Sequence, residues 1–169
     1  MRMIRPTLPL AALLLTGLAL AATGANAAPA DVQVQIGPKL QKAAADTLGV
    51  KEVDRLAADL KRQVERQLGR TGVLDGARVE LTLVDVKPNR PTFKQLGDRP
   101  GLSYESFSLG GARIEGRAVA VDGAVTPIRY EWYESDIRYA PYRVTWSDAD
   151  TAFSQFARRL ARGEAYARR

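Results

Sequence analysis

The first periodic segment of the chain alternates apolar and polar residues. Val32, Val34 and Ile36 are separated by glutamines, and a Gly-Pro pair follows them. A period of two that ends at a breaker predicts a short, half-buried strand. From residue 39 to residue 68 the apolar spacing changes to three and four residues, which predicts an amphipathic helix. Gly49 is expected to separate it from a shorter helical piece near residues 39–47, and Gly69 and Gly72 to end it.

Three more strands are predicted after this helix. Val79, Leu81 and Leu83 alternate with polar residues up to Pro88. Segments 112–121 and 125–134 flank Asp122-Gly123, which is a hairpin turn signal. A three-residue loop or a bulge would place the apolar residues of both strands on one face. The expected pairs are Ala118 with Ile128, Gly116 with Tyr130 and Ile114 with Trp132.

The last element is a second amphipathic helix. Ser147 is expected to cap it, with Asp148 and Asp150 in its first turn, where the helix dipole favours acidic groups. Gly163 is expected to end the helix. Its apolar stripe consists of Phe153, Phe156, Ala157 and Leu160.

The order of elements is strand, helix, strand, long connection, hairpin, helix. This order predicts an α+β fold, a two-layer sandwich in which a three- or four-stranded, mostly antiparallel sheet has its helices packed on one face. Trp132 and Phe156 are expected to meet in the core between the sheet and the last helix.

The connection formed by residues 88–110 has no sustained period. Irregular connections of this length are uncommon in compact domains and are often functional. We expect it to be partly mobile and to contact a partner. The alternative is an ordinary irregular connection that tucks Phe93 and Phe107 beneath the sheet edge.

The N-terminus has the order of a secretory signal peptide. Arg2 and Arg5 precede an apolar run over residues 8–22, and Ala25 and Ala27 supply small residues before the cleavage point. Residues 1–27 are therefore predicted to be a cleavable signal peptide, residues 28–163 a single domain and residues 164–169 a frayed basic tail. The alternative is an uncleaved membrane anchor, but this apolar run is shorter than the roughly 20 residues that a membrane-spanning helix needs. The expected location is the periplasm or the exterior of the cell.

Composition and charge narrow the functions open to the chain. It contains no cysteine, which excludes a lipid anchor and disulfides, and no histidine. Most nucleophile–base pairs and zinc sites need one of these residues, so no catalytic, cofactor or metal site is predicted. The net charge of +6 falls to +4 after loss of Arg2 and Arg5. So modest a charge is not typical of a nucleic-acid-binding protein. It is compatible with binding to an anionic lipid headgroup or glycan. The alternative is that the charge only aids solubility.

Aromatic and arginine residues are the strongest candidates for binding, because such side chains dominate interaction hot spots. Parity places Tyr130 and Trp132 in the core and leaves three later tyrosines exposed. The basic residues of the long connection suit an anionic surface, and its aromatic residues can stack or insert. The candidate partner-binding residues are Arg90, Lys94, Arg99, Tyr104, Phe107, Tyr133, Tyr139 and Tyr142.

Several short motifs along the chain carry a resemblance. They are Arg90-Pro91-Thr92, Gly110-Gly111-Ala112, Tyr130-Glu131-Trp132-Tyr133 and Thr145-Trp146-Ser147-Asp148-Ala149, after a signal sequence and before a Phe-containing helix. In this layout the chain resembles uncharacterised small exported proteins of Gram-negative bacteria, many of them lipoproteins. It departs from the lipoprotein members because it lacks the lipidated cysteine. The resemblance implies an envelope domain and assigns no chemistry.

Three functions follow as expectations. The first is a non-enzymatic periplasmic or secreted binding or accessory domain in envelope assembly or transport, whose partner is an envelope protein or an anionic glycan or lipid headgroup. The second is a carboxylate-dependent hydrolase of cell-wall or glycan material. Strand parity opposes it, because Glu131 faces away from Glu134 and Asp136. The third is a structural subunit of an envelope complex.

Overall fold

The computed structural model describes residues 29–165. The predicted signal peptide and the last four residues of the predicted tail lie outside this range. Ala165, inside that tail, is buried, and its carbonyl accepts a hydrogen bond from the Arg129 N–H at 3.4 Å. Over the described range, none of the helices combines the length and the apolar character needed to cross a membrane.

One four-stranded sheet organises the domain, with the strand order β1-β2-β3-β4. β1 and β2 are parallel and the other two pairs are antiparallel, so the predicted α+β class is confirmed. In chain order the elements are β1 (Asp31–Ile36), α1 (Pro38–Ala43), a π-helical turn (Ala44–Leu48), α2 (Val50–Thr71), β2 (Arg78–Lys87), α3 (Phe93–Asp98), β3 (Gly111–Val119), β4 (Val125–Tyr133), a 3-10 segment (Ile137–Tyr142) and α4 (Ser147–Ala161).

The core lies between the sheet and the two long helices. A parallel pair of neighbouring strands needs a crossover, and α2 supplies it while burying its apolar stripe on the sheet. Gly49 separates α2 from the preceding helical residues at φ +96°, as predicted. The ring that packs on Phe156 is Tyr130, with centroids 5.5 Å apart. The expected pairing of Trp132 with Phe156 is corrected accordingly, because Trp132 is only partly buried at the edge of the core.

The β3–β4 hairpin has the predicted faces but a different register. The observed pairs are Gly116 with Ile128 and Ile114 with Tyr130, two residues away from the expected alignment. The loop has three residues, as expected, but they are residues 121–123 and not 122–124: the Ala120 N–H donates to the Ala124 carbonyl, and Gly123 adopts φ +84°. Position 116 requires glycine because β2 lies so close: a Cβ there would lie 2.2 Å from the Glu80 carbonyl oxygen.

The connection over residues 88–110 is partly helical, contrary to the irregular course expected from its sequence. Thr92 begins α3 with a capping box: its hydroxyl accepts from the Gln95 N–H at 3.2 Å, and its own N–H donates to the Gln95 side chain at 3.0 Å. Thr92 is buried, whereas Phe93 is 82% exposed. Phe93 is therefore not tucked beneath the sheet edge.

The start of α4 also differs from the expectation. Ser147 is the first helical residue and not the cap, and its hydroxyl accepts from the Val144 N–H at 2.9 Å. Asp148 lies in the first turn, as predicted, but its side chain is fully buried. A buried carboxylate needs partners, and these partners organise the end of the sheet described below.

We predict that Phe156→Ala lowers the free energy of unfolding by about 3–5 kcal/mol, as loss of a fully buried aromatic ring does. Chemical denaturation measures this change. Phe93→Ala is the matched control and should change stability by less than about 0.5 kcal/mol, because its ring is exposed. Equal melting of both variants and the parent would contradict the placement of the core.

Candidate functional site

A buried carboxylate joins three segments where β2 and β4 end. Asp148 Oδ2 accepts from Asn89 Nδ2 at 2.5 Å and from the Gly110 N–H at 3.1 Å, while the Asp148 N–H donates to Asn89 Oδ1 at 2.9 Å. Arg143 Nε lies 3.3 Å from Asp148 Oδ1, an ion pair without an aligned hydrogen bond. We call Asn89, Gly110, Arg143 and Asp148 the Asp148 cluster.

The backbone of Asn89 extends this cluster. Its N–H donates to the Thr145 carbonyl at 2.7 Å, and its carbonyl accepts from the Ser108 N–H at 2.8 Å. Gly110 is required here, because a Cβ would lie 2.7 Å from Asn89 Oδ1. The residues after β2, before β3 and before α4 are thus held in one arrangement.

Arg90 makes a second set of ties between the same segments. Its guanidinium donates to the carbonyls of Arg143 at 2.7 Å, Tyr104 at 2.8 Å and Pro141 at 2.7 Å. The side chain is half-buried, and these contacts span the loop after α3 and the 3-10 segment. Arg90 therefore holds together the backbone on which the exposed aromatic residues are carried.

Exposed apolar side chains are concentrated on these two segments. Among the described residues, ten large apolar side chains are exposed, and seven of them fall in segments 93–107 and 137–144. Exposed apolar residues that are concentrated in one region, and not scattered singly, are a common mark of interaction sites. We call the seven residues the aromatic surface: Phe93, Tyr104, Phe107, Ile137, Tyr139, Tyr142 and Val144.

A groove of about 540 Å³ borders the aromatic surface. Phe93, Tyr104 and Val144 line one side, and residues of α2 line the other. Trp146 is buried at this groove and donates from Nε1 to Glu52 of α2 at 2.7 Å. The groove therefore combines an apolar wall with a polar helical wall.

One acidic group of the groove has a shifted pKa. Partial burial raises the pKa of Asp150, the nearby charge of Asp59 raises it further, and Arg55 opposes both effects. Asp59 is itself paired with Arg62. Arginines of α2 thus offset the charge of Asp59 and part of the charge of Asp150.

The basic candidates Lys94 and Arg99 are placed differently from Arg90. Lys94 forms an ion pair with Asp98 one helical turn later, at 2.8 Å. Arg99 is exposed and, among the described residues, has no acidic partner. Arg99 and Phe107 line a second hollow of about 390 Å³ beside the long connection. The role of these residues in partner binding stays a prediction.

Tyr133 lies apart from the other candidate tyrosines, on the sheet face that carries no helix. Its hydroxyl donates to Asp85 at 2.5 Å, and Lys87 Nζ lies 4.6 Å from its ring centre. Burial and the bond to Asp85 raise the pKa of Tyr133. A register shift in β2 between Leu83 and Asp85 turns Asp85 toward this face. Tyr139 and Tyr142, by contrast, are exposed on the aromatic surface.

The uncovered sheet face carries a ladder of balanced charges. Glu80 pairs with Arg78 at 2.9 Å and with Arg117 at 2.6 Å, and Glu115 pairs with Arg113 at 2.6 Å. The bond from Arg117 lowers the pKa of Glu80. Because each carboxylate here has basic neighbours, this face is a self-compensated polar surface and carries no clear ligand preference.

The described residues hold no group of three or more histidine, cysteine or acidic side chains arranged to bind a metal ion. Two of the carboxylates considered for hydrolysis bond to residues next to them in the sequence. Glu134 accepts from the Ser135 and Asp136 N–H groups, and Asp136 forms an ion pair with Arg138 at 2.5 Å.

Sequence reasoning missed Asn89, Trp146 and the buried role of Asp148. An asparagine directly after Pro88 at a strand end was the available signal, but its partner lies 59 residues away. Comparisons with protein-family models, curated proteins and solved structures found no match for this chain.

We predict that Asp148→Ala lowers the free energy of unfolding by about 3 kcal/mol, because the Asn89 amide and the Gly110 N–H then stay buried without an acceptor. Asn89→Ala should couple to it by about 1–3 kcal/mol in a double-mutant cycle measured by denaturation. Asp98→Ala, in an exposed pair, is the control and should cost less than about 1 kcal/mol. Strict additivity of the first two substitutions would contradict the Asp148 cluster.

Proposed function

We propose that this protein is a non-enzymatic binding domain of the cell envelope that docks a protein partner through the aromatic surface. The observation that supports this most is that seven exposed apolar side chains lie on two segments, which the hydrogen bonds of the Asp148 cluster and Arg90 hold together. The envelope location rests on the predicted signal peptide.

A protein partner fits the composition of this surface. Tyrosine, other aromatic residues and arginine dominate the energetics of protein interfaces, and a groove with an apolar wall accepts an apolar side chain. Hydrogen bonds hold the backbone of the two segments that carry the aromatic surface. Docking on it therefore loses less conformational entropy than binding by a mobile loop would.

The charges around the aromatic surface indicate which partner chemistry suits it. Asp98 and Asp136 form ion pairs with Lys94 and Arg138. The guanidinium of Arg90 donates to backbone carbonyls. Arg99 adds an exposed cation, against which Glu105 is the exposed anion. We therefore infer a partner segment that presents apolar side chains, with an acidic residue opposite Arg99 and a basic residue opposite Glu105.

The engagement of Glu134 and Asp136 in local contacts supports binding over carboxylate hydrolysis. A glycosidase pair needs two carboxyl groups facing each other across a substrate cleft. Neither residue lines the groove beside the aromatic surface.

The test is site-specific photo-cross-linking in the cells that produce the protein. A photoreactive phenylalanine replaces Tyr142, which is 87% exposed on the aromatic surface, or Val121, which is 81% exposed at the hairpin tip on the opposite end of the sheet. We expect a product of one defined mass at position 142 and none at position 121. Excess unlabelled protein should compete this product away.

Two further variants sharpen the result. Tyr104→Ser/Tyr142→Ser protein should compete at least tenfold less well than the parent, with an unchanged melting temperature, and Arg99→Glu should also weaken competition. Equal products at positions 142 and 121 would contradict the proposal. A product at position 142 that contains glycan or lipid and no protein would overturn the choice of partner.

A further inference from the structure

The helical layer contains a further hollow, separate from the aromatic surface and from the groove and hollow beside it. α2 and α4 lie side by side in the same direction, since residues 52–59 adjoin residues 146–150 and residues 63–70 adjoin residues 154–158. A hollow of about 270 Å³ opens between their C-terminal halves. It is lined by Gln63, Arg66, Gln67, Arg70, Ser154, Ala157 and Arg158.

The hollow is positively charged and its charge is uncompensated. Arg66, Arg70 and Arg158 are exposed and line it from two helices, and no carboxylate is among its lining residues. Within residues 29–165, none of the three arginines has an acidic partner within 4.0 Å. The nearby acidic groups are used elsewhere: Asp59 pairs with Arg62, and Glu65 with Lys61 at 3.6 Å.

Helix dipoles explain only part of this arrangement. Arg70 and Arg158 lie in the last turns of α2 and α4, where positive charge is stabilised. Arg66 lies before the last turn of α2, and like charges four residues apart on a helix destabilise it. Helix dipoles therefore leave the convergence of three such side chains on one hollow unexplained.

We propose that this hollow binds a phosphate group of a monoester or diester ligand. Guanidinium groups match phosphate oxygens through paired N–H donors, and the Gln63 and Gln67 amides add neutral donors. Arg158 Nη2 donates to Ser154 Oγ at 3.2 Å, which positions that guanidinium in the hollow. This site is independent of the proposed docking of a protein at the aromatic surface.

The test compares melting temperatures of the purified protein in sodium phosphate and in sodium chloride of equal ionic strength. Selective binding to the folded state raises the melting temperature, and we expect a rise of about 3 °C or more in phosphate. In Arg66→Gln/Arg158→Gln this rise should disappear. Lys39→Gln/Lys51→Gln makes the same change in net charge on exposed lysines and should keep the rise.

Sedimentation with vesicles identifies the source of the phosphate. Binding to phosphatidylglycerol vesicles but not to phosphatidylcholine vesicles, lost in Arg66→Gln/Arg158→Gln, supports the site and assigns a lipid headgroup. A phosphate-specific rise without vesicle binding supports the site and assigns a soluble ligand. Equal melting in phosphate and chloride, or equal behaviour of the arginine and lysine variants, overturns the proposal, and neither result bears on cross-linking at position 142.

Discussion

The burial of the Asp148 carboxylate is the constraint on which the aromatic surface and the end of the sheet beside it depend. Removing an ionised carboxylate from water costs several kcal/mol unless charged and hydrogen-bonding partners surround it. Its partners come from residues after β2, before β3 and before α4. These segments must therefore assemble together, because the loss of any one partner leaves a buried charge uncompensated.

This constraint links the fold to the proposed function. Segments 88–110 and 134–146 contain little regular structure beyond α3 and the 3-10 segment, yet they carry the aromatic surface. Arg90 bonds to three carbonyls across them and supplies cross-links that irregular backbone otherwise lacks. Apolar side chains are thus exposed on a backbone that hydrogen bonds hold in place, and a surface held in place loses less entropy on binding.

The sequence predicted what short-range periodicity controls and missed what depends on distant partners. The alternation around Val79 and the three- and four-residue spacing of α2 gave strands, helix and faces correctly. The hairpin register was off by two residues, because turn geometry at Gly123 decides it and parity does not. The exposure of Tyr139 and Tyr142 could be predicted because both lie beyond the strand whose alternation places Tyr130 and Trp132 in the core. The partial burial of Tyr133 could not, because its partner Asp85 lies in a strand distant in sequence.

Amide hydrogen exchange of the isolated protein, resolved by residue, tests the central claim most directly. The amides of Asn89, Ser108 and Gly110 each donate to a partner across the Asp148 region. The account predicts that these three amides are protected to nearly the same extent as those of β3 and are released together in Asp148→Ala, which removes the acceptor. Exchange of the three at the rate of an unfolded chain in the parent protein would contradict an ordered arrangement at this end of the sheet.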